Sequence, residues 1–69
     1  QKEFELYKKA ANLGNVTAQR KLANIYNIGK GIVRDIDQAI YWYKKFDEKE
    51  NREDIQDKLE ELLDIKRFM

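Results

Sequence analysis

The chain has 69 residues, 39% of them charged, a formal net charge of +1, and no cysteine, histidine, serine or proline. A chain this short buries only about 60% of the surface its unfolded form exposes, so one small domain is the ceiling and an isolated one is marginal. Lack of cysteine excludes disulfides and thiolate zinc sites, and lack of histidine and serine removes the usual general base and the commonest nucleophile, leaving Thr17 as the only hydroxyl outside tyrosine.

Composition thus speaks against catalysis, and no cofactor or metal site is expected. No apolar run approaches the roughly 20 residues of a membrane span and no signal-peptide pattern opens the chain, so it reads as soluble, with the cytoplasm favoured. Gln1 in place of Met suggests a fragment.

Apolar periodicity predicts four antiparallel helices, near residues 2–13, 16–28, 36–47 and 52–67. In the first, Phe4, Tyr7 and Ala11 form one stripe and Leu6, Ala10 and Leu13 a second, so this helix wants neighbours on two sides. It ends at Gly14. Asn15 is placed to cap the second helix, whose apolar positions are Ala18, Leu22, Ile25 and Tyr26. Gly29 follows that run where a residue tolerant of positive φ is needed. Asp35, with Gln38 three residues on, has the spacing of a reciprocal capping box. Between them Ile32 and Val33 are too apolar for a free loop and are expected to tuck under the hairpin. The third helix turns Ile36, Ala39, Ile40, Tyr43 and Phe46 inward with Trp42 alongside, and small Ala39 implies a close crossing. Tyr26, Ile40 and Tyr43 are expected to be buried together.

The last helix is single-sided. Asn51 is expected to cap it, Glu53 and Asp54 sit in its first turn, Ile55, Leu59, Leu62 and Leu63 make its stripe, and Lys66 and Arg67 suit the negative end of its dipole. Charge divides along the chain: residues 1–46 hold 9 basic and 4 acidic side chains, whereas residues 47–64 hold 3 and 9. The basic excess is spread over three helices without arginine clustering and lies beside an acidic helix, which argues against nucleic acid as a partner.

The chain also repeats itself. Tyr7-Lys8-Lys9 recurs 36 residues on as Tyr43-Lys44-Lys45, with Phe4 matched by Ile40 and Leu6 by Trp42, a period of helix–turn–helix size. Leu22-Ala23-Asn24-Ile25-Tyr26, Gly29-Lys30-Gly31-Ile32-Val33-Arg34-Asp35 and Ala39-Ile40-Tyr41-Trp42-Tyr43-Lys44-Lys45 together resemble the Sel-one-like repeats, relatives of the tetratricopeptide solenoids. Tyr7 to Asn15 and Ala18 resemble the end of one repeat running into the next. Two departures stand out: Ala23 where the family usually has glycine, and Phe46-Asp47-Glu48-Lys49-Glu50 where it has an Ala-Ala-x-x-Gly junction. The second points to an array that stops being regular after Lys45.

The resemblance implies an all-α, tetratricopeptide-like α-solenoid of helix–turn–helix repeats. Residues 1–14 are then the closing helix of a preceding repeat, 15–47 one full hairpin repeat and 48–69 a C-terminal capping helix with the polar outer face a solenoid needs to end in water. The function implied is that of a protein–protein interaction module or scaffold, with a protein or peptide and neighbouring repeats as partners and no membrane or nucleic acid. The alternative is a structural end cap or dimerisation segment of a larger enzyme or receptor. With no repeat over Leu6, Ala10 and Leu13, the isolated chain is expected to be weakly stable or to self-associate.

Other patterns favour their plainer readings. Gly29-Lys30-Gly31 lacks the strand and the Gly-Lys-Ser/Thr ending of a phosphate loop, and the carboxylates of residues 47–64 lack calcium-loop spacing. Trp42 and Tyr43 fall on an inward stripe and read as core, leaving Tyr41 as the aromatic most exposed. On the second helix, Thr17, Arg20, Asn24 and Asn27 recur at i, i+3, i+7 and i+10, one polar face opposite Leu22 and Tyr26. Asparagine costs up to about 0.7 kcal/mol in a helix relative to alanine, yet it is used twice. In the family resembled, the first helix of each repeat lines the concave surface, where amide and guanidinium groups can bond an extended backbone. The candidate protein-binding residues are therefore Arg20, Asn24, Asn27 and Tyr41.

Overall fold

The computed structural model describes residues 2–29 and 31–68; Lys30, the middle of the Gly29-Lys30-Gly31 turn, lies outside them. They form four helices, α1 (Lys2–Asn12), α2 (Val16–Ile28), α3 (Ile36–Glu50) and α4 (Glu53–Arg67), with no strand among the described residues.

The start of α2 follows from its cap: Asn15 Oδ1 accepts a hydrogen bond from the Ala18 N–H at 2.9 Å. The helix ends where Gly29 takes φ +76° and donates its N–H to the Ile25 carbonyl at 2.8 Å. A Cβ there would lie only 3.0 Å from Arg34 Cβ, so the turn requires glycine for space as well as for its backbone angle. Asp35 then opens α3, its Oδ1 accepting from the Gln38 N–H at 3.1 Å. Only this half of the expected capping box forms. The Asp35 N–H is taken by the Tyr26 carbonyl at 3.0 Å across the turn, so nothing is left for the Gln38 amide to satisfy, and Gln38 is exposed.

At the other end, Asn51 closes α3 instead of opening α4. It adopts a left-handed conformation, φ 49°, and donates its N–H to the Asp47 carbonyl at 2.8 Å, which carries α3 three residues past the expected boundary. Asparagine tolerates this region better than other non-glycine residues, and a left-handed residue cannot supply the extended backbone of an N-cap. Its Oδ1 accepts from Gln56 Nε2 at 2.8 Å, while Arg52 takes the N-cap position of α4 and pairs with Asp54 at 3.1 Å.

Three contacts fix the directions of the helices. Phe4 at the start of α1 meets Tyr26 near the end of α2, ring centroids 5.4 Å apart and edge to face. Lys49 near the end of α3 donates to the Gly14 carbonyl before α2 at 3.2 Å. Lys66 near the end of α4 pairs with Asp37 at the start of α3 at 2.6 Å. Consecutive helices are therefore antiparallel, and only consecutive helices bring their backbones together, giving a slab with Cα extents of 32 × 27 × 14 Å.

The core runs through that slab. Ala18, Leu22 and Ala23 of α2 face Ala39, Ile40, Tyr43 and Phe46 of α3, with Ile36 and Trp42 also buried, and Ile55, Leu59 and Leu62 of α4 close the other side. Alanines on both α2 and α3 let the two backbones approach, as expected from Ala39. Expectation fails at three places. Tyr26, near the end of α2, is only half-buried, with Phe4 of α1 edge to face against its ring. Val33 is 88% exposed while Ile32 is half-buried, because the turn spends its backbone on Gly29 and Asp35 and leaves only one of its two apolar residues against the hairpin. Leu63 is exposed at the rim of the α4 stripe. On α1 the Phe4, Tyr7, Ala11 stripe and Ala10 lie against the core, whereas Leu6 and Leu13 stand 65% and 82% exposed.

Candidate functional site

The structure divides the four candidate residues between two surfaces. Arg20 and Asn24 are exposed on α2, one helical turn apart, and neither side chain has a hydrogen-bond partner among the described residues. Thr17 continues the row as an exposed residue. Asn27 does not share that freedom. Its carbonyl accepts from Arg34 Nε at 2.6 Å and its Oδ1 from Arg34 Nη2 at 3.3 Å, so it fastens the α2–α3 turn.

Tyr43 links the α2 row to α4. Burial raises the pKa of its phenol above the usual tyrosine value; Arg20 acts to lower it and Glu61 to raise it further. Charges on α2 and on α4 thus act in opposite directions on one phenol of α3. Tyr26 is also raised, by burial first and then by Asp35 and Glu5.

Tyr41 is two residues from Tyr43 on α3, which places it on the opposite side of the helix. It is 49% exposed, edge to face on Trp42 at 4.9 Å, with Lys45 Nζ 5.7 Å above its ring. A cavity of about 240 Å³ lies beside it, between the C-terminal end of α1 and α3, and a second of about 170 Å³ adjoins; Tyr41, Lys45 and Glu48 line both. The floor of the larger one includes Gln19, a buried polar residue that the stripe Ala18, Leu22, Ile25, Tyr26 omits. The signal for it was present: Gln19, Leu22, Ala23 and Tyr26 fall at i, i+3, i+4 and i+7, the spacing of a single face.

A third recess, of about 580 Å³, opens between the start of α3 and the end of α4 with Ile36 and Ile65 in its walls and the Lys66–Asp37 pair at its edge. None of the candidate residues lines it. No group of three or more acidic side chains capable of holding a metal ion occurs among the described residues, and no helix there is long and apolar enough to cross a membrane.

Antiparallel helical hairpins stacked in sequence order, each touching only its neighbours, define a tetratricopeptide-like α-solenoid. The Sel1 repeat model matches residues 4–15 and 16–46, and the chain belongs to this family, the Sel-one-like repeats whose pattern its sequence carries. Sel1 repeats generally serve as protein-interaction modules and are not catalytic ones. No curated protein and no solved structure gives a significant match to the chain.

Proposed function

We propose that this chain is a protein-binding piece of a helical-repeat array, not an enzyme, and that it engages an extended stretch of a partner with the exposed row of α2, Arg20 and Asn24 supplying the hydrogen bonds. Residues 1–14 act as the closing helix of one repeat, 15–47 as a full repeat and 48–69 as its cap. The observation that carries the reading is the contrast along one helix face: Asn27 is consumed by Arg34, whereas Arg20 and Asn24 keep their full bonding capacity toward solvent. An asparagine inside a helix without a structural partner is a cost of up to about 0.7 kcal/mol that binding would offset.

The test is the double substitution Arg20→Ala/Asn24→Ala. Alanine is the better helix former, so the variant should melt at or slightly above the wild-type temperature by circular dichroism. Each lost partner bond is worth about 0.5–1.5 kcal/mol, more for the charged donor, so capture of binding proteins from the source organism's lysate should fall well below wild type. A well-folded double variant that retains the same captured proteins would remove the α2 face from the reading.

The bare Leu6 and Leu13 on α1 favour one second reading, a dimerisation segment of a larger protein. Sedimentation separates the two. A Leu6→Lys/Leu13→Lys variant that changes a concentration-dependent mass supports dimerisation, whereas a monomeric wild type at high concentration refutes it.

A further inference from the structure

Gln19 is 4% exposed, and its Nε2 donates to the Ala11 carbonyl at 3.2 Å, tying α2 to the end of α1. Its Oε1 is buried without any hydrogen-bond partner among the described residues. That oxygen is closed to solvent, so Gln19 belongs to the packing of α2 on α1 and forms part of the cavity wall without offering a free acceptor. Gln19 borders the 240 Å³ cavity between α1 and α3, with Asn12, Trp42, Lys45, Glu48 and Lys49 around it. That volume is below the range of about 300–1,000 Å³ typical of small-molecule sites, and it suits one side chain with its peptide unit. Tyr41, Lys45 and Glu48 also line the smaller cavity, where Lys44 joins them.

The shape is a two-lobed groove with a partly exposed aromatic ridge, and its charge is one-sided. Lys44, Lys45 and Lys49 stand against the single carboxylate of Glu48, and Lys49 is held by the Gly14 carbonyl on the cavity wall. Tyr41 is braced by Trp42 on one side and Lys45 on the other, so docking against it sacrifices little side-chain freedom.

We propose that this groove, on the side of the hairpin away from Arg20, is a second protein-docking site that receives a short acidic peptide segment. The peptide chain lies over Tyr41 with one side chain in the larger cavity, and an acidic side chain reaches Lys44 and Lys45. The carboxylate belongs at the rim, where the cations outnumber Glu48. The site uses none of the α2 row and stands or falls independently of it.

Trp42 is the only tryptophan in the chain and lines the larger of the two cavities, so its fluorescence reads occupancy directly. The probes are an acetylated nonapeptide with a central Glu-Asn-Glu, its Lys-Asn-Lys counterpart, and a single-stranded oligouridylate. The acidic peptide should change Trp42 emission saturably. Lys44→Glu/Lys45→Glu should weaken it by about tenfold or more, since two attractive charges become two repulsive ones, and raised salt should weaken it in the wild type. Tyr41→Ala, at a half-exposed position, should weaken it while leaving the circular-dichroism spectrum unchanged. Arg20→Ala/Asn24→Ala should leave peptide binding unaltered. A flat titration to millimolar peptide, equal binding of the lysine peptide, a charge-reversed variant that binds as well as wild type, or preference for the oligouridylate would each overturn the proposal.

Discussion

Helices α1 and α3 carry the same Tyr-Lys-Lys motif 36 residues apart, yet they live in different surroundings. On α3, Ile40, Trp42, Tyr43 and Phe46 are all buried, because α2 covers one side and α4 the other. On α1, Phe4 and Tyr7, the equivalents of Ile40 and Tyr43, are only half-buried, and Leu6, the equivalent of Trp42, stands in solvent. Among the described helices, α1 brings its backbone close to α2 alone. The two stripes of α1 are thus the pattern of a two-sided helix found in a one-sided place. In a solenoid, burial is a property of position in the stack as much as of sequence.

The sharpest way to break this comparison is to truncate equivalent residues. Trp42→Ala should cost about 3–5 kcal/mol, which for a chain of this size amounts to most of its stability. Leu6→Ala should change stability by no more than about 0.5 kcal/mol, as at other exposed positions. Urea or thermal denaturation of both variants at low concentration checks the difference. Comparable losses would mean that α1 is covered in solution, and the Leu6 effect would then grow with protein concentration.

A related experiment supplies the neighbour that α1 lacks. Fusing a further Sel1-type hairpin ahead of Lys2, so that its first helix reaches Leu6, Ala10 and Leu13, should raise the melting temperature by several degrees, since each repeat interface adds to the stability of the stack. An unchanged midpoint would mean that α1 is a true end and that residues 1–14 do not close a preceding repeat.

Most of this architecture was legible because it rests on local rules. The Asn15 cap, the Gly29 terminus, the Asp35 cap and the inward set on α3 each follow from residue type and spacing within one turn. Failures came where two local claims competed. Asn51 could open α4 or close α3, and spacing alone does not choose; the left-handed conformation does. The Asp35 N–H could be satisfied by Gln38 or across the turn by Tyr26, and only packing decides. The candidate residues were less legible still. Position on one helix face gathers Arg20, Asn24 and Asn27, but the claim of Arg34 on Asn27 spans seven residues through the turn. Gln19 went unnoticed because a polar residue on an apolar face is visible only when the face is drawn wide enough to include it.

The hairpin turn offers a smaller and more local test. Gly29→Ala places a Cβ at φ +76° against Arg34 and should cost about 1–2 kcal/mol. The same strain should loosen the Arg34 grip on Asn27. Amide hydrogen exchange should therefore quicken at Asp35, whose N–H bonds the Tyr26 carbonyl, more than at the end of α3. Uniform quickening along the chain would instead mean that the turn has no stability of its own.

The gentlest probe of the covered helix is pH. Tyr43 has a phenol raised above its ordinary value, chiefly by burial, so the folded state holds its proton to a higher pH than the unfolded state does. Between the unfolded and folded pKa values the unfolded chain has released that proton while the folded chain keeps it. Stability contributed by the neutral phenol is therefore complete below the unfolded value near 10 and is lost as pH rises through the folded one. Tyr26 is raised too and acts in the same direction, with Asp35 and Glu5 reinforcing its burial. The expected outcome is an alkaline fall in melting temperature that begins above about pH 10 and is shallower in Tyr43→Phe. Tyr26→Phe should flatten it by less, because its ring is only half-buried at the end of α2. A Tyr43→Phe profile that superimposes on wild type would mean that this hydroxyl reaches water between α2 and α4, and that the closed side of α3 is less closed than its burial shows.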